Sequence, residues 1–214
     1  MPKKGVGIRP MVDREAENMP SQPANFDIVA LAASAGGLNA LSLVLAGLPG
    51  DFPAPVVIVQ HLDPRHRSLM ANILSHHTPL KVKQAEEGDS LQAGTVYIAP
   101  PDRHLLVNPD TSLSLTQSEL VHFVRPSADL LFESVAASFR EAAIAVVLSG
   151  TGSDGAMGIQ AIKKMGGTVI AQDKTSAEFF GMPGAAIQTG DVDFILPLDD
   201  ISPALVTLVV KGRS

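Results

Sequence analysis

The sequence predicts an α/β fold: a doubly wound, mostly parallel sheet with helices on both faces and an antiparallel β-hairpin insertion. Three observations carry that expectation. Runs such as DIVALAA, PVVIVQ and AIAVVLSG are continuously apolar and rich in β-branched residues, as strands buried on both faces are. Longer segments between them repeat apolar residues at helical spacing. Aromatic residues make up only 4% of the 214, with no Trp and one Tyr, so a 45% hydrophobic chain must build its core from Val, Ile, Leu and Ala.

Residues 1–25 are polar and have few large apolar groups to bury, which predicts a disordered tail ahead of one domain over 26–214. DIVALAA reads as the first strand. GGLNALSLVLAGL follows as a helix with Leu38, Leu41, Val44, Leu45 and Leu48 at helical spacing. PVVIVQ is a second buried strand, and RSLMANILSHH a helix that stops before Thr78-Pro79. LKVKQA, TVYIA, HLLV and LSLT are short and partly alternating, separated by Gly94, Pro100-Pro101 and Asn108-Pro109-Asp110. They predict an antiparallel excursion, with HLLVNPDTSLSLT as a hairpin. Ser127 then caps the helix ADLLFESVAASFREA, AIAVVLSG returns as a buried strand, and DGAMGIQAIKKMGG is a helix closed by Gly166-Gly167. TVIAQ and DFIL are short strands on either side of GMPGAAIQ, and ISPALVTLVVKG is the last helix, with Asp199 and Asp200 at its positive end.

Composition excludes several classes. Without Cys there are no disulfides, no thiolate metal sites and no Cys nucleophile. A net charge of -6 argues against nucleic acid as a partner. The N-terminus lacks the apolar stretch of a signal peptide and no later run reaches membrane-spanning length, so a cytoplasmic placement is expected. No H-E-x-x-H or paired-carboxylate spacing is present, and neither a metal nor a cofactor is predicted.

Three polar residues stand where strands run out: Ser34, His61 and Asp154. In open parallel sheets the carboxyl ends of strands line the ligand crevice, so one cleft could collect a nucleophile, a base and an orienting carboxylate. Each segment also has other readings. Ala32-Ala33-Ser34-Ala35-Gly36-Gly37 could be a nucleophile turn, a phosphate-binding loop or a plain tight turn. It is neither a G-x-G-x-x-G nor a P-loop. His61 alone would be a polar rim residue. In Ser149-Gly150-Thr151-Gly152-Ser153-Asp154-Gly155, Ser153 or Asp154 would serve as the N-cap of the next helix.

Taken in order, ALAASAGGLNAL, VQHLDP, YIAPPDRHL, RPSADLLFES, VLSGTGSDGAMGIQAIKKMGG, AQD and FGMPGAAI resemble the catalytic domain of the CheB-type protein-glutamate methylesterases over residues 26–201. The resemblance implies a hydrolase of glutamate methyl esters on chemoreceptors that also deamidates glutamines. It makes Ser34 the nucleophile, His61 the base and Asp154 its orienting carboxylate, with backbone N–H groups at Ala35 and Thr151 at the oxyanion. Arg65 and Arg103, near predicted strand ends, are either candidate substrate-binding residues that complement an acidic receptor helix or solvated surface charge. Met182 falls in a loop that the resemblance places near the cleft, and the implied partner is a methylated receptor helix met at the membrane periphery. Members commonly carry a phosphorylatable receiver domain ahead of the catalytic one. Only a short tail stands there in this chain, which predicts an open, constitutively active cleft. Ala32 replaces the family's usual Gly, and Thr151 the Met of the familiar chemotaxis enzymes. A phosphate- or nucleotide-binding module and a non-catalytic scaffold are the alternatives on the same fold.

Overall fold

The structure is a computed structural model that describes residues 27–61 and 68–211, so the predicted tail lies outside the described residues. Among the described residues seven strands form one sheet: β1 (Ile28–Ala33), β2 (Val56–Gln60), β3 (Lys81–Gln84), β4 (Thr95–Ile98), β7 (Ala143–Val147), β8 (Thr168–Gln172) and β9 (Phe194–Leu196). Their order is β3-β4-β2-β1-β7-β8-β9, and every pairing is parallel. β5 (His104–Val107) and β6 (Leu113–Thr116) form a separate antiparallel hairpin.

The helices are α1 (Gly37–Ala46), α2 (Met70–Ser75), α3 (Ala128–Phe139), α4 (Ala156–Lys164), α5 (Gly181–Gln188) and α6 (Leu198–Lys211). Alternate residues of each strand feed opposite faces. Val29, Leu31 and Ala33 join α1, α2 and α6 in one core, while Ile28, Ala30 and Ala32 join α3, α4, α5 and the hairpin in the other. All six residues of β1 are buried, which accounts for its unbroken apolar run. The predicted helical stripe of α1 is buried at Leu41, Val44 and Leu45, whereas Leu38 at the first turn is half-exposed.

The middle of the chain departs from expectation. LKVKQA and TVYIA are not antiparallel; as β3 and β4 they extend the main sheet in parallel register, Lys81 opposite Thr95 and Gln84 opposite Ile98. Parallel strands ordinarily need a helical crossover. Here residues 85–94 make the return without one, because the hairpin supplies their hydrogen bonds: Gly88 N–H donates to Leu113 O, Leu91 N–H to Thr111 O, and Leu113 N–H to Asp89 O. Tyr97 adds to this by donating its hydroxyl to Ser90 O and accepting from Gln92 N–H. The GMPGAAIQ segment, which carried no predicted element, is α5. Pro183 is tolerated in its first turn, where a backbone N–H has no intrahelical partner to lose.

Candidate active site

β1 lies at the point where strand order reverses, with β2 on one side and β7 on the other. Loops after such strands diverge and leave a crevice. The ladder runs on past the strand ends, with His61 N–H donating to Ala33 O at 3.2 Å, Leu148 N–H to Ala32 O at 2.9 Å and Ser34 N–H to Ser149 O at 3.0 Å. Ser34 is thereby held between the β2 and β7 ends, and it follows Ala33 as His61 follows that residue's partner, Gln60.

The turn after Ser34 is built on close approach. Ser34 O accepts from Gly37 N–H at 2.8 Å and from Gln60 Nε2 at 2.7 Å. Gly36 has φ of 72°, and a Cβ there would come within 2.7 Å of Ser149 Oγ, which itself donates to Ala35 O at 2.8 Å. Only glycine meets both demands. Neither Ala35 N–H nor Thr151 N–H has an acceptor among the described residues. Both are the kind of free backbone donor an oxyanion requires.

His61 and Asp154 meet directly, Nε2 to Oδ2 at 2.8 Å, with side-chain exposures of 13% and 4%. Asp154 also accepts from Ala128 N–H at 2.6 Å, Asp129 N–H at 3.2 Å and Ser127 Oγ at 2.8 Å. Burial on its own raises a carboxyl pKa, but here the bonds from His61, Ala128 and Ser127 outweigh it and hold Asp154 below its ordinary value. It is therefore a carboxylate at neutral pH, His61 Nε2 carries the donated proton, and Nδ1 is left with the free lone pair.

Asp154 is not the N-cap of the helix that follows it. Gly155 takes that position with φ of 97°, and Asp154 instead reaches across to the N-terminus of α3. Asp129, in the first turn of α3, does the reverse: its Oδ1 accepts from Gly155 N–H at 2.9 Å and Gly158 N–H at 2.7 Å at the start of α4. The N-terminus of α3 is thus capped by a carboxylate from the loop leading into α4, and that of α4 by a carboxylate from α3. Burial, opposed by the Gly158 N–H and reinforced by the nearby Asp154 charge, raises the Asp129 pKa. Its Oδ2 lies 3.2 Å from His122 Nε2, within range of charge attraction although no hydrogen bond is aligned there. Ser127 is the predicted cap of α3, with Leu130 N–H 3.5 Å from its Oγ.

A cleft of about 570 Å³ opens beside Ser34 between α1 and α2, lined among the described residues by Leu38, Asn39, Ser42, Met70, Ile73 and His77 as well as the Ser34 turn. Of the predicted substrate-binding residues, Arg65 lies outside the described residues. Arg103 is exposed and bonds to none of Ser34, His61 or Asp154. Met182 is at the site but beneath it. It is 1% exposed, and its Sδ sits 2.3 Å from where a Gly150 Cβ would be, so it props the β7 loop and does not reach solvent. Arg125 is engaged by Asp102 at 2.6 Å and by the Gln117 and Ser118 carbonyls.

The same Gly150 Cβ would lie 2.9 Å from Ser34 Cβ. Gly150→Ala is therefore expected to displace Ser34 and lower turnover about 100-fold, the usual cost of a misplacement near 1 Å. Steady-state kinetics beside a thermal melt checks it, since the melt should stay cooperative.

A sequence model of the CheB methylesterase family matches residues 29–205. The chain belongs to the CheB methylesterase family. This CheB-family chain is 41% identical over 200 residues to the protein-glutamate methylesterase FrzG of Myxococcus xanthus, covering 94% of the chain and 59% of FrzG. It is 40% identical over 184 residues to a Leptospira interrogans protein whose name proposes both methylesterase and glutaminase activity, covering 86% of the chain and 95% of that protein. The Thermotoga maritima protein-glutamate methylesterase/protein-glutamine glutaminase is 38% identical over 205 residues, with 59% of it covered. The crystal structure of the Thermotoga maritima CheB methylesterase catalytic domain is matched with a TM-score of 0.83 at 38% identity, over 86% of this chain and 100% of that one. The CheB-family chain thus spans nearly all of one relative and about three-fifths of two others.

Proposed function

We propose that the chain is a serine esterase that hydrolyses methyl esters of glutamate side chains on chemoreceptors, and deamidates receptor glutamines, through Ser34, His61 and Asp154. The 2.8 Å contact between His61 Nε2 and an ionised Asp154, beside Ser34 at the sheet's switch point, is the observation that supports this reading most. His61 Nδ1 takes the Ser34 proton as the hydroxyl oxygen attacks the ester carbonyl, and Asp154 stabilises the resulting imidazolium. Ala35 N–H and Thr151 N–H receive the oxyanion, each such donor being worth about 3 kcal/mol in the transition state. Collapse of the tetrahedral adduct breaks the bond to methanol, which leaves with the proton from His61. Water, deprotonated by the same imidazole, then releases the glutamate and regenerates Ser34. With a glutamine the leaving group is ammonia.

No helix among the described residues is long and apolar enough to cross a membrane. The reading places the enzyme in the cytoplasm, working on the cytoplasmic helices of membrane-bound receptors. Methanol release from methylated receptor membranes by the purified chain tests it directly. Release that requires Ser34 is expected; none under conditions where a known methylesterase works would overturn the reading.

The cleft between α1 and α2 is where the polypeptide flanking the ester would lie, with Leu38 and Ile73 offering half-exposed apolar contacts. Ile73→Lys is expected to raise KM for methylated receptors about tenfold, the order of one lost apolar side-chain contact. Its kcat on a small soluble ester should not change.

A further inference from the structure

We propose that His104 is a positioning residue for Ser34, His61 and Asp154, acting through Ser127, a role that rests on the esterase reading above. His104 opens β5, is wholly buried, and bonds to none of the three residues it serves. Its ring has two partners. Ser127 N–H donates to Nδ1 at 3.1 Å, and Nε2 lies 3.1 Å from Glu119 O. A donor on one side and a carbonyl on the other admit one state, a neutral ring with its proton on Nε2. Burial, the largest influence, lowers its pKa and keeps that state at neutral pH. A second proton would set Nδ1–H against Ser127 N–H.

The effect is carried to the site by a continuous run of hydrogen bonds. Glu119 O accepts from His104, His104 accepts from Ser127 N–H, Ser127 Oγ donates to Asp154 Oδ1, and Asp154 Oδ2 holds His61. Three of the four donors to Asp154 come from Ser127, Ala128 and Asp129, the stretch that His104 anchors at its first atom. Without an acceptor at the Nδ1 position, the Ser127 N–H is buried and unsatisfied. The first turn of α3 must then shift to find a partner, and the carboxylate that orients His61 shifts with it. Ser127 thus has two tasks, capping α3 and transmitting the position of the hairpin layer to the base.

The side-chain geometry supplies a test that separates positioning from filling space. Asn places its amide oxygen near the His Nδ1 position and keeps the acceptor for Ser127. Gln is nearer in volume but places its polar atoms near Nε2 and loses that acceptor. His104→Leu and His104→Gln are each expected to slow kcat about 10- to 100-fold with KM little changed. His104→Asn should return to within about threefold of wild type. Ser127→Ala should resemble His104→Leu, and the double variant should lose no more than the worse single one, as residues acting through one chain do.

A second readout is the rate at which a serine-reactive organophosphonate labels Ser34, which needs the aligned base but no receptor. If the wild type labels at Ser34 yet releases no methanol from receptors, the substrate reading fails while the His104 comparison is decided on labelling alone. Equal rates for the Asn and Gln variants would overturn the role of His104. So would losses for His104→Leu and Ser127→Ala that sum in the double variant.

Discussion

Ser34→Ala is expected to give a folded protein whose methanol release falls at least about 10⁴-fold, the scale seen when serine proteases lose their nucleophile. Little else should change. The side chain is half-buried in a turn whose geometry is set by backbone bonds to Ser149, Gly37 and Gln60, none of which uses the hydroxyl. Circular dichroism and a thermal melt should match wild type, which makes the kinetic loss interpretable. His61→Ala should lose as much, and Ser34→Ala/His61→Ala no more than either alone, because a base without its nucleophile has no proton to take. Turnover retained by a folded Ser34→Ala protein would remove Ser34 from the chemistry, and free-energy losses that sum would show that the two residues do not act together.

Asp154→Asn has the second large effect, and it should damage activity and stability together. Ala128 N–H and His61 share Oδ2, while Asp129 N–H and Ser127 share Oδ1. Either orientation of an amide therefore sets its NH₂ group against a backbone N–H, and the negative charge facing the imidazolium is gone. Turnover should fall on the order of 10⁴-fold, as for the equivalent change in a serine protease. Stability should fall by about 1–3 kcal/mol, the cost of leaving a buried hydrogen-bonding group unsatisfied.

The pH dependence has a definite sign. The folded pKa of Asp154 is depressed, so its contribution is complete above the unfolded carboxyl value near 3.9 and is lost as pH falls through the lower folded value. Urea titrations between about pH 5 and pH 2 should show a shallower acid loss for Asp154→Asn than for wild type. Parallel acid slopes would mean that Asp154 is not held as an ionised group.

The grouping of Ser34, His61 and Asp154 at one end of the sheet is legible because loops at carboxyl strand ends line a common crevice, and Ser34 and His61 directly follow apolar runs while Asp154 comes shortly after one. What supports them is not. Asp154 sits in a Gly-Ser-Asp-Gly stretch that reads locally as a cap for the next helix, and nothing near it in sequence says that its carboxylate serves α3, whose start lies 26 residues earlier. His104 looks like a polar residue beside a strand until its burial and its bond to Ser127, 23 residues on, are known. The parallel β3–β4 pairing escapes a local reading for a related reason. Local alternation suggests hairpins, and the bonds that make a helix-free parallel return workable come from residues 111–113. The α5 segment was obscured by Gly181, Pro183 and Gly184, which break a helical pattern on paper but fall in its first turn.

That helix-free return also bears on how the chain folds. β3 is an edge strand whose link to β4 has few internal partners, so the pairing depends on a hairpin formed from sequence downstream of both strands. The entropy of closing the link is met only once β5 and β6 have docked. β3 should therefore join after the central strands, with φ-values near zero at Val82 against high values at Val29 and Ile144. Native-state amide exchange should follow the same order, with β3 and residues 85–94 opening together at a free energy below that of global unfolding while β1, β2 and β7 exchange only through it.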